Sequence, residues 1–449
     1  MSGSEPASAP PGGLRRAIKL PHATALVVGT IIGASIFVQP AEVTSQVPSV
    51  AGVLGVWLIA GALTLIGALI CAELASTFTR TGGVYVYLTE AFGPWLGFLW
   101  GWAMFWAMHS GIIAAIAVVF ARYAGYVLPL GETGSKALAI GVILILSVVN
   151  YLGVKQGSRV QTWFTAGKLL AVALIVALGF ALGGRVSEHF VGAATPRPVG
   201  LGDFLKGLVA GLFAFGGWHM VTYSSEETVD PKKTIPRALL SGTLIVTGAY
   251  LLMNAVYMYV LPLDQVASST RVAADLADRL LGTGGGSAIS GIVMFSTFGA
   301  LAGIVLAGPR VYLAMARDGL LFRWAGAIHP RFQTPHRAIL LQAVWASVLV
   351  ATGTFRTLFT LVVYTEWIFF GLMAVGLVLV RRRTDVRREY SVWGYPALPA
   401  LFALAAFAVV VNQVLSDPGS TLKGLGLVLL GLPVYYFWAR KGLAPSSRS

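Results

Sequence analysis

Two stretches of this chain put glycine where a continuous apolar helix would gain nothing from it. Residues 29–37 read GTIIGASIF and residues 211–221 read GLFAFGGWHMV. Each lies inside a strongly apolar run. Glycine loosens a helix, and Ser35 adds a polar group to the first run. In lipid, an unpaired N–H or C=O group is costly, so a broken helix persists only where it lines a cavity and meets a ligand. A helix that restarts after a break offers free N–H groups and the positive end of its dipole, which suit a carboxylate. A helix that stops before a break offers free C=O groups, which suit an ammonium. One pair of breaks therefore supplies both halves of a recogniser for an α-amino acid. The plainer alternative is close packing of helices through small residues.

Charged groups in apolar runs add further chemistry. Lys168 stands about nine residues into the run 160–182, and Glu366 stands in YTEWIFFG within the run 357–380. An ionisable residue at such depth is a functional hypothesis by default. Lys168 is too far from either end to snorkel comfortably. It is read either as a fixed positive strut, the favoured role, or as a group that gains and loses a proton. Glu366 could pair with a cationic side chain of a ligand, take up a proton, or pair with another polar group of the protein. His219 follows GGW and could touch a ligand side chain; the plainer reading is a neutral histidine hydrogen-bonded inside the bundle.

These residues need elements to hold them. The chain has 449 residues, 56% hydrophobic and 11% charged, with mean hydropathy +0.77. A soluble protein carries about 25% charged residues. About twelve apolar runs, most of them near the ~20 residues a bilayer span needs, are read as spans: 23–46, 52–78, 94–128, 137–152, 160–182, 204–225, 238–261, 287–316, 338–352, 357–380, 396–414 and 421–439. The fold class expected is an all-α integral membrane protein of about 12 transmembrane helices. The net charge of +14 does not point to nucleic acid, because it lies in the loops. With the N-terminus placed inside, twenty-two of the 32 Lys and Arg fall in inner segments and eight in outer ones, leaving Arg122 and Lys168 within spans. That is the positive-inside pattern, and it puts both termini in the cytoplasm of a plasma (inner) membrane protein. The run 381–389, RRRTDVRRE, then meets anionic membrane lipid. Glu73 is expected to pair with a cytoplasmic arginine, and Glu226 and Glu227 to serve as gate or loop contacts. Arg122 is expected to snorkel at the outer end of its span. The single Cys71 excludes a disulfide framework. Residues 1–13 lack the features of a signal peptide.

The two glycine breaks fall in spans 1 and 6. They correspond if spans 1–5 and 6–10 are related halves, which is the sequence pointer to a transporter site at the bilayer midplane. The motifs AELASTFTRTGGVYVYLTEAFG (72–93), NYLGVKQGSRVQTWFTAGKLL (150–170), SSEETVDPKKTIPRAL (224–239) and GPRVYLAMARDGLL (308–321) follow in order. With them, residues 15–390 resemble the amino acid–polyamine–organocation (APC) superfamily, nearest to its L-type amino acid transporter-like bacterial members.

The resemblance implies a leucine-transporter fold with a 5+5 inverted repeat and discontinuous helices 1 and 6. It implies an N-terminal tail 1–20, repeats at 21–185 and 200–385, two peripheral helices at 390–440 and a tail 441–449. The substrate carboxylate would meet Thr30, Ile32, Gly33, Ala34 and Ser35. The ammonium would meet carbonyls of Ile31, Phe213, Ala214 and Gly216. Phe213 would be the aromatic gate, Trp218 would wall the pocket, and Glu366 would border its distal end. In sodium-independent relatives a span 5 lysine stands where sodium-coupled members hold sodium. Lys168 matches it, with carbonyls near Gly29 and a hydroxyl of Ser296 or Thr297 in expected reach. Two residues depart from the family: Ser35 replaces a usual glycine, and His219 replaces a frequent asparagine.

The function expected is a sodium-independent secondary transporter of amino acids, by exchange or proton coupling. The alternatives are a cationic amino acid or polyamine transporter using Glu366, and a membrane nutrient sensor. An enzyme is not expected: there is no HExxH, no GxSxG and no cluster of histidines, and an ATP-driven pump would need GxxxxGK[ST]. No metal or cofactor is called for. Animal L-type relatives pair with a glycoprotein through a cysteine; Cys71 lies inside span 2, so no disulfide-linked subunit is expected.

Overall fold

The computed structural model describes residues 14–440, apart from 126, 127, 129, 185–198, 283, 354 and 386. The tail 441–449, residues 1–13 of the expected N-terminal tail, and the loop holding Arg185 and Arg197 lie outside the described residues. The first span is broken into α1 (Leu20–Ile31) and α2 (Ser35–Gln46), bent by 46°. Then come α3 (Val50–Thr77), α4 (Val84–Phe92), α5 (Pro94–Ala103), a π-helical turn (Met104–Met108) and α6 (His109–Ala124). Next are α7 (Glu132–Tyr151), α8 (Val154–Leu182) and α9 (Leu201–Ala214), the last leading into a 3-10 helix, Trp218–Glu227. The second half continues with α10 (Pro231–Val260), α11 (Leu263–Ser268), α12 (Val272–Leu281) and α13 (Gly285–Arg317). It ends with α14 (His336–Thr352), α15 (Phe355–Arg381), α16 (Ala397–Ser416), α17 (Pro418–Leu429) and α18 (Gly431–Arg440).

Among the described residues, ten helical segments are long and apolar enough to cross a membrane, and the bent pair α1–α2 makes an eleventh. α14 is apolar but has only 17 residues; with it the described helices account for all twelve expected spans. Starts are set by local chemistry. Ser49 caps α3 by accepting from Gly52 N at 3.1 Å. Proline occupies the first turn of α1, α5 and α10, where its missing N–H costs nothing.

The two breaks face one another in opposite sense. α2 packs on α9, while α1 packs on the 3-10 helix. α8 and α13 flank α1, and α10 packs along both α1 and α3. The broken pair is therefore enclosed by unbroken helices.

One end of the bundle is sealed. The N–H groups of Ala17 and Ile18 donate to Glu227 O at 2.9 and 3.0 Å. Glu227 makes a fully buried two-pronged pair with Arg310, at 2.7 and 2.8 Å. Glu226 pairs with Arg317 at 2.8 Å and accepts from Thr81 N. Asp318 holds both Arg80, at 2.6 Å, and the Tyr85 hydroxyl, at 2.7 Å. Glu73 is held by Arg381 through two bonds of 2.6 and 2.8 Å, so its expected arginine partner is present.

Candidate functional site: a cavity between two broken helices

A cavity of about 1070 Å³ lies between the breaks. From the first span it is lined by Thr30, Ile31, Gly33, Ala34 and Ser35; from the second by Phe213, Gly216, Gly217 and Trp218. α6, α13 and α15 add to the wall, the last through Glu366, Trp367 and Phe370, together with α11 and α16. Its mouth lies near Gln46 at the end of α2 and Lys206 at the start of α9, opposite the sealed end.

The backbone at the first break behaves as broken helices should. Ile32 N still donates to Val28 O at 2.9 Å. The N–H groups of Gly33, Ala34 and Ser35 have no backbone acceptor among the described residues. They point out of the start of α2, the arrangement that suits an anion. At the second break, Gly217 takes φ +99°, in the left-handed region that favours glycine. A Cβ there would also lie 3.1 Å from Thr30 O. The two breaks approach one another directly: the Thr30 hydroxyl, which donates back to Leu26 O at 2.7 Å, also lies 3.1 Å from Gly217 O.

Lys168 is 1% exposed, and its Nζ donates to Gly29 O and Ile32 O, both at 2.7 Å. The ammonium therefore sits where the carbonyls at the end of α1 would otherwise be unpaired. It is the last rung of a ladder. Thr165 Oγ1 donates to Ala25 O at 2.9 Å, and Gln161 Nε2 reaches the same oxygen at 3.5 Å. Residues 161, 165 and 168 share one face of α8, and residues 25 and 29 share one face of α1, with Ile32 just past its end. Close approach requires Gly29, where a Cβ would fall 2.0 Å from the Gln161 amide nitrogen.

Several sequence expectations need correction. Ser296 and Thr297 do not meet Lys168: Ser296 donates to Gly33 O at 3.1 Å, and Thr297 turns back on its own helix to Val293 O. The second carbonyl for Lys168 is that of Ile32. With its N–H and C=O both engaged, and outside the cavity wall, Ile32 has no free N–H for a carboxylate. The carbonyls of Ile31 and Ala214 each accept from the Tyr250 hydroxyl at 3.0 Å, and Ala214 is not part of the wall. Tyr250, on α10, thus shares its one hydroxyl hydrogen between the ends of α1 and α9. His219 lies behind the wall, not in it. Its ring packs among Trp100, Trp218, Tyr223 and Phe370, and neither ring nitrogen has a hydrogen-bond partner among the described residues. The hydrogen-bonded histidine expected from sequence is thus not what is seen.

Comparison with known proteins gives the family. Residues 18–431 match the amino acid permease family. The chain belongs to that family, within the APC superfamily. The serine/threonine exchanger SteT of Bacillus subtilis (strain 168) is 33% identical over 428 residues, covering 94% of this chain and 97% of the relative. The human b(0,+)-type amino acid transporter 1 is 31% identical over 442 residues, covering 95% and 90%. The human large neutral amino acids transporter small subunit 2 is 32% identical over 446 residues, covering 95% and 82%. This permease therefore has the leucine-transporter fold of its family, is a multi-pass membrane protein that transports amino acids, and is not an enzyme.

Proposed function

We propose that this permease is a sodium-independent amino acid exchanger of the plasma membrane, working by alternating access. The observation that carries the reading is the Lys168 ammonium on Gly29 O and Ile32 O. A cation belonging to the chain occupies carbonyls that would otherwise invite a free one, so no coupling ion is needed there. The N–H groups of Gly33, Ala34 and Ser35 are assigned to the substrate carboxylate. The ammonium is assigned to the cavity-facing carbonyl of Gly216 and to the remaining lone pairs of the Ile31 and Phe213 carbonyls, which already accept from Tyr250 and Gly216. Phe213 and Trp218 are assigned to close over and wall the bound molecule. The repeats are placed at 21–185 and 200–385, the peripheral helices at 390–440, and the sealed end, with both termini, in the cytoplasm. Since Cys71 is buried in α3, no subunit linked through it is proposed.

Uptake of labelled amino acids into proteoliposomes tests this. The protein is assayed with and without internal amino acid, with and without sodium, and across a pH gradient. Exchange predicts uptake that needs internal substrate and ignores sodium and pH, and that is lost in Lys168→Ala. Uptake into empty vesicles driven by an inward proton gradient would replace the exchanger with a proton symporter.

A further inference from the structure

α15 brings one carboxylate into the cavity wall. Glu366 is 6% exposed, and its Oε1 has no hydrogen-bond partner among the described residues. A buried carboxylate oxygen without a partner is expensive, and proteins keep one where something else satisfies it. Here the open side is the cavity. Aromatic rings share this cavity wall with it. Trp367 and Phe370 come from the same helix and Trp218 from the second break, and all three line the cavity with Glu366. Trp218 and Phe370 lie 5.1 Å apart between ring centres, and Trp367 and Phe370 5.9 Å apart. A carboxylate among aromatic faces is the chemistry that receives an organic cation, through charge and through the negative face of each ring. The other charged residues of the wall, Glu42, Arg122 and Lys206, belong to α2, α6 and α9 rather than to this aromatic corner.

We propose that Glu366 is the specificity-determining residue of this cavity, and that the amino acid carried has a cationic side chain, an ammonium or a guanidinium. The proposal rests on the amino acid exchange reading above. In that reading the broken helices neutralise the zwitterionic end of the substrate. One positive charge is left over, and Glu366 meets it.

The test is exchange of labelled arginine, lysine, leucine and serine in proteoliposomes, with Glu366→Gln and Glu366→Asp beside the unaltered protein. Arginine or lysine is expected to exchange. Glu366→Gln is expected to raise their KM on the order of tenfold to a hundredfold, and to raise the KM of leucine or serine, where these exchange, by a clearly smaller factor. Glu366→Asp is expected to keep most of the cation preference. If leucine or serine exchanges while arginine and lysine neither move nor compete, this proposal falls and the exchanger stands. Equal loss of all four in folded, monodisperse Glu366→Gln also overturns it, because the carboxylate would then not discriminate. If no amino acid moves at all, the exchanger reading falls instead. Arginine binding to detergent-solubilised protein, followed by isothermal titration calorimetry, then decides the Glu366 proposal alone: binding lost in Glu366→Gln upholds it, and no binding overturns it.

Discussion

A single methyl group probes the geometry at Gly217. Its φ of +99° is unfavourable for any residue with a Cβ, and that Cβ would press on Thr30 O at 3.1 Å. Gly216 lacks the positive φ, and a Cβ there would meet only Phe213 O. Strain of about 1–2 kcal/mol is expected for Gly217→Ala, lowering initial exchange rates roughly tenfold, while Gly216→Ala has a smaller effect. Proteoliposome rates compared at equal protein incorporation check this, and equal rates would remove the strain argument. Not all such residues were legible in the sequence. Lys168 announced itself, because a charge in an apolar run needs a reason. Gln161 and Thr165 share its helical face, at spacings of seven and three residues, but each looks ordinary by itself. Tyr250 was not legible: its partners, Ile31 and Ala214, lie 219 and 36 residues away, and nothing local aims its hydroxyl at both.

At the scale of elements, α8 serves as a comb for α1. Three polar side chains at helical spacing hold three successive levels of carbonyls, and Gly29 lets the helices come close enough. Gly29→Ala is therefore expected to displace the ends of the Gln161 and Thr165 side chains from Ala25 O and so lower exchange, while the protein still folds. Thr165→Val removes one rung at constant size. It is expected to cost about 1 kcal/mol of stability or less and to alter turnover more than KM. Melting temperature and a KM-against-kcat comparison separate the two effects. The spans were legible because a run of apolar residues is a strong signal. The short helices were not. α12, VAADLADRLL, buries Val272, Ala273, Leu276 and Ala277 on one face and keeps its charges on the other, so it has no apolar run to notice. α10 begins at Pro231, seven residues before the apolar run, because Pro231 opens its first turn and polar residues carry the helix past the oil.

For the molecule as a whole, the seal and the cavity are opposite ends of one arrangement. The seal is concentrated in the pair Glu227–Arg310, both side chains fully buried. Removing one partner leaves a bare charge, which typically costs about 3–5 kcal/mol. Arg310→Ala is thus expected to lower the melting temperature sharply, and the double variant Arg310→Met with Glu227→Leu is expected to recover most of the loss. A double variant no more stable than Arg310→Ala would show that the ion pair is not what the seal relies on.

The Lys168 contact has a consequence in the currency of membrane voltage. A cation that is part of the chain cannot be released on the far side, so it contributes nothing to the driving force. Under exchange, only the charges of the two amino acids count. Swapping a cationic amino acid for a neutral one moves one elementary charge, worth about 2.3 kcal/mol at 100 mV. That corresponds to a concentration ratio of roughly fiftyfold, with each 1.36 kcal/mol worth a factor of ten. With Lys168 fixed in place and Glu366 facing the cavity, the membrane potential would set how far a cationic substrate accumulates.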